Sequence, residues 1–79
     1  MDRYFIYGKT TCTPCMEACR VLKDASLEFK FFDLDEDFLT EAKEFYNHKT
    51  VPIVLKNNKE TGMITLIGGC SDLKEVLNV

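Results

Sequence analysis

The chain has no tryptophan, only two prolines and a single histidine. Nowhere does an apolar run approach the ~20 residues that a membrane-spanning helix requires. Positive charge is not in surplus either: Lys and Arg number 10 against 13 Asp and Glu, a net charge of −3. Each shortage excludes something. Without a basic surplus there is little to neutralise phosphates, so nucleic acid is not the expected partner. Without a spanning run, no membrane role is expected. The opening Met-Asp-Arg-Tyr-Phe-Ile-Tyr is too short and too polar for a secretion signal, so the expected location is the cytoplasm. Repeats, low-complexity stretches and linker-like segments are also missing. What remains is 79 residues, 46% hydrophobic and 29% charged, which suits one folded domain over residues 1–79, expected as a monomer. A core of that size leaves few apolar side chains to spare.

Cysteine is the exception to this plainness. Cys12, Cys15 and Cys19 fall close together, and Cys70 stands alone near the end. A stapling framework would spread its cysteines to close long loops. Clustered thiols with no secretion signal are expected to be reduced, and they point to redox chemistry or to metal.

Tyr4 to Tyr7 is a short apolar run that stops at Gly8 and predicts a buried strand. Cys15, Ala18, Cys19, Leu22 and Ala25 recur at steps of three and four, so they share one face of a helix that begins near Pro14. Glu28 to Leu34 predicts a second strand, with Phe29 and Phe31 on one face and Phe32 and Leu34 on the other. Asp35 to Tyr46 predicts a second helix with Phe38, Ala42, Phe45 and Tyr46 as its apolar stripe. Val51 to Leu55 and Met63 to Ile67 predict two strands joined by the polar turn 56–62. After Gly68-Gly69, a last helix places Leu73, Val76 and Leu77 inward. The order is β-α-β-α-β-β-α, an α/β class. Its first half is a βαβ unit with a right-handed crossover, and its second half closes as a hairpin.

The sharpest chemical signal is Thr10-Thr11-Cys12-Thr13-Pro14-Cys15, set between the first strand and the first helix. A cysteine at a helix N-terminus meets unpaired amides and the positive end of the dipole, which favour a thiolate. A second cysteine one turn on is close enough to form a disulfide with little backbone movement. The thiolate attacks disulfides, so a lowered pKa at Cys12 is expected, with Lys9 adding positive field. Cys-x-x-Cys is also half of a zinc site. Its other half would have to come from Cys19, Cys70 and His48. Cys19 continues the core face and His48 stands among polar residues as a solvated loop histidine, so no metal is expected.

Three segments, Lys9-Thr10-Thr11-Cys12-Thr13-Pro14-Cys15, Thr50-Val51-Pro52 and Gly68-Gly69-Cys70-Ser71-Asp72-Leu73, resemble the motifs of the glutaredoxin family, in the same order. The resemblance covers the whole chain. It implies a thioredoxin fold, a four-stranded mixed sheet flanked by three helices. It also implies a thiol–disulfide oxidoreductase in which Cys12 is the nucleophile and Cys15 the resolving thiol. Glutathione would be the reducing co-substrate and disulfide-containing proteins the partners, with ribonucleotide reductase as a candidate. The glutathione-binding residues implied are Lys9, Thr13, Pro14, Thr50, Val51, Pro52, Gly69, Cys70, Ser71 and Asp72, with Lys49 as a weaker candidate for a carboxylate. A cis Pro52 would let Val51 pair with an extended peptide as a short extra strand. Ser71 or Asp72 would cap a helix whose N-terminus suits a carboxylate. A plain strand start and an ordinary turn-and-cap are the simpler readings of these last two segments.

The chain departs from the family between its thiols. Many members carry Pro-Tyr there, and this one has Thr13-Pro14. Proline before the second cysteine is a thioredoxin feature, and it alters the relative stability of dithiol and disulfide. About 1.4 kcal/mol there moves the potential by about 30 mV. A stronger reductant with weaker glutathione binding is expected. Two other readings follow: a thioredoxin-like hydrogen donor recharged by a flavoprotein reductase, and a non-catalytic metal or iron–sulfur carrier, which Pro14 disfavours.

Overall fold

The β1 strand, Asp2–Gly8, lies at the heart of the fold and pairs on both sides. A computed structural model describes residues Met1 to Val79. In chain order β1 is followed by α1 (Thr13–Asp24), β2 (Phe29–Asp33), α2 (Glu36–Phe45), β3 (Ile53–Asn58), β4 (Ile64–Gly68) and α3 (Cys70–Leu77). The sheet order is β2-β1-β3-β4. β1 runs parallel to β2 and antiparallel to β3, and β3 is antiparallel to β4. This is the four-stranded mixed sheet with three helices of the thioredoxin fold, in the order read from the sequence.

Side-chain alternation decides which face each helix covers. Tyr4 and Ile6 of β1 and Val54 of β3 join Ala18, Val21 and Leu22 of α1 and Leu73 of α3 in one buried cluster. Phe29 and Phe31 pack against it, so β2 turns the expected pair inward. Phe5 and Tyr7 alternate onto the other face and pair in register with Leu55 and Ile53, both fully buried. Helix α2 belongs to that second face.

Several boundaries and burials differ from expectation. β3 begins at Ile53 rather than Val51 and runs on to Asn58, because the pairing with β1 extends to Asp2. Asn57 lies inside this extension, buried but held by Arg3 Nε and by the Met63 carbonyl. The turn therefore shortens to the residues around Gly62. Ala25 is the exposed C-cap of α1, and Val21 takes its place in the core. Val76 is exposed on α3, where Leu73 alone is fully buried. On α2 the only buried residue is Leu39, while Phe38 and Phe45 of the expected apolar stripe face solvent. No helix is long and apolar enough to cross a membrane.

Candidate functional site

The strand β1 ends at Gly8, and the chain turns tightly into α1. The turn is closed by the Cys12 amide donating to the Lys9 carbonyl at 3.2 Å. Cys12 is the N-cap of α1, with extended backbone (φ −92°, ψ 114°). Its Sγ accepts the Cys15 amide at 3.4 Å, so the sulfur occupies the place that a serine or aspartate oxygen takes in an ordinary cap. The Cys15 amide and the positive end of the helix dipole face that sulfur. Pro14 falls in the first turn, where its missing N–H costs no helix bond. Cys12 is half-exposed and Cys15 is buried.

The two thiols thus sit in different surroundings. Burial pushes the Cys15 thiol up to about 12, and a hydrogen bond with the Cys12 side chain adds to it, against a weaker opposing effect of the Lys9 backbone. Packing explains the burial: a Cβ at Gly8 would fall on the Cys15 sulfur, so only glycine lets the strand end pass this close. Cys19, one turn further along, is half-buried against the core cluster, and burial raises its pKa. All four cysteines are free thiols.

Beside the thiols, three segments far apart in sequence form a groove of about 410 Å³. Its walls are Pro14, His48, Thr50, Val51, Pro52, Gly69, Cys70, Ser71 and Asp72. The Val51–Pro52 peptide bond is cis. Neither the amide nor the carbonyl of Val51 takes part in any hydrogen bond of the chain, which leaves both free for an extended ligand. On the opposite wall, Gly69 is the N-cap of α3. The sequence suggested Ser71 or Asp72 as the cap. Glycine has no side chain for that task, so Asp72 acts instead from the third helical position, accepting the Gly69 amide at 2.9 Å. Gly68 before it has φ +122°, a conformation that side-chain-bearing residues rarely adopt, and its approach to the Asp72 carboxylate leaves no room for a Cβ. Cys70 opens α3, packs partly against the core and lies within electrostatic reach of Cys12. Its thiol is pushed up, mainly by burial.

Not every expected residue reaches this groove. Thr13 is exposed at the first position of α1 and is not part of the walls. Lys9 turns the other way: its ammonium donates to the Leu34 carbonyl at 3.1 Å and lies 3.9 Å from Glu36. Lys49 is exposed and belongs to a separate depression with Lys43 and Asn47. His48 corrects the sequence reading. It is half-buried rather than solvated, its Nε2 is 3.5 Å from Thr50 Oγ1, and a Cβ at Gly69 would lie 3.6 Å from that same nitrogen. Polar neighbours in sequence gave no sign of a groove assembled from the far end of the chain.

Comparison with known proteins agrees with this geometry. No curated protein sequence matches the chain. Among solved structures, wheat glutaredoxin superposes with a TM-score of 0.73 at 24% identity, over 95% of this chain and 68% of that one. A dithiolic glutaredoxin from Trypanosoma brucei brucei gives 0.71 at 26% identity, over 95% and 76%. Glutaredoxin 1 from Francisella tularensis gives 0.67 at 21% identity, over the full length of both chains. The glutaredoxin family model matches residues 5–60, a span that holds the thiol pair, the cis proline, the end of β1 and all of α1 to β3. With more than half of its length matched in this way, the chain belongs to the glutaredoxin family of thiol oxidoreductases.

Proposed function

We propose that the protein is a glutathione-dependent dithiol oxidoreductase that reduces protein disulfides and glutathione mixed disulfides. The observation that carries this reading is the asymmetry of the thiol pair: Cys12 half-exposed at the amide end of α1, and Cys15 buried one turn behind it. The Cys12 thiolate attacks one sulfur of a substrate disulfide. That S–S bond breaks, a mixed disulfide forms on Cys12, and the other substrate sulfur leaves as a thiolate. Cys15 then attacks the Cys12 sulfur, passing its proton to the departing thiolate. The products are a reduced substrate and a Cys12–Cys15 disulfide. Two glutathiones restore the dithiol and leave as glutathione disulfide. The high pKa of Cys15 keeps it a weak competitor for substrate, so attack begins at Cys12.

Glutathione suits the groove. A short extended peptide can pair with the free amide and carbonyl of Val51, in the manner of strand addition. Its γ-glutamyl carboxylate can lie at the N-terminus of α3, near Gly69, Cys70 and Ser71. Lys9, held by Leu34 and Glu36, has first to leave those partners to meet the glycine carboxylate. Thr13 and Lys49 stand at the margins of this site. Disulfide-bearing proteins, ribonucleotide reductase among them, are the proposed substrates, acted on by a monomer in the cytoplasm.

Pro14 favours a second reading, in which a thioredoxin-reductase-type flavoprotein recharges the pair. Reduction of a model mixed disulfide is to be followed with glutathione and glutathione reductase in one cuvette, and with thioredoxin reductase in another. Turnover in the first alone supports the glutathione reading, and turnover in the second alone replaces it with the thioredoxin-like one.

A further inference from the structure

Helix α2 covers only part of its face of the sheet. Beside it, five rings run edge to edge: Phe5–Phe32 at 5.8 Å between centroids, Phe32–Tyr7 at 5.2 Å, Tyr7–Tyr46 at 6.4 Å and Tyr46–Phe45 at 4.8 Å. Four of these rings, with Leu34 and Phe38, line an apolar groove of about 460 Å³. Phe38 is 59% exposed and Phe45 80% exposed. In so short a chain, two bare phenylalanines on one helix add little to the core, and contiguous exposed apolar surface marks an interaction site.

The charges around this groove select its occupant. At the far end of the ring ladder the chain supplies its own cations, with Arg3 over Phe5 at 5.2 Å and Lys30 over Phe32 at 5.4 Å. At the α2 end the one nearby cation, Lys9, is held by the Leu34 carbonyl and Glu36. Glu41 is the one charged residue lining the groove. Asp37 and Glu41 follow one another at i and i+4 alongside Phe38, Ala42 and Phe45, and no ion pair of the chain involves them. Lys43 and Glu44 border a different depression. Like charges at i and i+4 destabilise a helix slightly, and a cationic partner removes that cost. A second copy of the chain would bring the same acids to the contact, and an anionic membrane surface would repel them.

We propose that this groove docks a basic amphipathic segment of a disulfide-bearing protein substrate. Its apolar side chains lie on the ring ladder, and its Lys or Arg side chains meet Asp37 and Glu41. Lys9 links the groove to the turn that carries the thiols. Leu34 lines the groove, and Lys9, whose carbonyl closes the turn into Cys12, donates to the Leu34 carbonyl. The substrate role of the segment rests on the oxidoreductase reading, whereas its binding does not.

The test uses a fluorescein-labelled peptide of Phe, Leu, Lys and Arg. One twin has Glu and Asp in place of the cations, and another has Ser in place of the apolar residues. Each is also made with an internal disulfide. The unaltered protein is expected to bind the basic peptide at least about tenfold tighter than either twin, with affinity falling as salt rises. Its disulfide form is expected to be reduced with a correspondingly lower KM. Glu41→Lys and Phe45→Ser should each erase the preference while leaving reduction of hydroxyethyl disulfide unchanged. Equal binding of the three peptides, or a preference that survives both variants, overturns the proposal. So does a dimer in sedimentation that Phe45→Ser dissolves, since the face then belongs to a second copy. Failure to reduce hydroxyethyl disulfide refutes the oxidoreductase reading alone, because the binding measurement needs no turnover.

Discussion

Two cysteines one helical turn apart differ here because one caps the helix and the other is packed beneath it. Cys12 is half-exposed, while Cys15 is fully buried with its pKa raised to about 12. Iodoacetamide at neutral pH should therefore label Cys12 first, with Cys15 labelled only after unfolding. Peptide mass mapping reads this directly, and early label on Cys15 would refute it. The same burial links stability to alkali. The fold favours the neutral thiol, so this contribution is intact below pH 9 and is lost as pH rises from 9 towards about 12. In urea titrations of the reduced protein, stability should fall over that window more steeply than in Cys15→Ala. Gly8 is the third partner of the pair. Gly8→Ala places a Cβ on the Cys15 side chain and should cost about 1–3 kcal/mol, with loss of thiol exchange. An unchanged denaturation midpoint would show that the sulfur can move aside.

Among the elements, α2 and α3 show what periodicity reveals and what it hides. The stripe of Phe38, Ala42, Phe45 and Tyr46 was legible as a helical face, but periodicity does not say what covers a face. Leu39, off that stripe, is the side chain that anchors α2. Leu39→Ala should cost about 2–5 kcal/mol in denaturant unfolding, whereas Phe45→Ala, at 80% exposure, should stay within about 0.5 kcal/mol. Equal costs would mean that the stripe packs in solution. The strand and helix order was legible because the short apolar run of β1, the three-to-four spacing of α1 and the alternation of β2 differ clearly. The start of α3 was legible only to within a turn. Gly69 occupies the cap position, and the carboxylate that serves it comes from Asp72, two residues inside the helix. The thiol pair could be read from local sequence alone. His48 could not, since the wall it forms depends on Gly69 arriving from the other end of the sheet.

For the molecule as a whole, α1 and α3 are joined across the surface by charge as well as by the core. Glu17 accepts from Arg20 at 2.7 Å on its own helix and pairs with Lys74 of α3 at 2.9 Å. These hydrogen bonds, Arg20 first, hold its carboxyl down at about 2. A depressed carboxyl stabilises the fold above its ordinary pKa, and the contribution is lost as pH falls from about 4.5 towards 2. Glu17→Gln should thus melt below the unaltered protein at pH 7. The gap should close on acidification and shrink with salt, as an exposed network is screened. A gap that persists in strong acid would assign the effect to packing. All of this serves to hold one helix start and one groove side by side. The most direct test of that arrangement is glutathione-coupled reduction of a glutathione mixed disulfide by Cys12→Ser and by Cys15→Ser. Cys12→Ser should have no turnover, while Cys15→Ser should still remove glutathione and fail only on protein disulfides that need a second thiol. Turnover retained by Cys12→Ser would contradict the account.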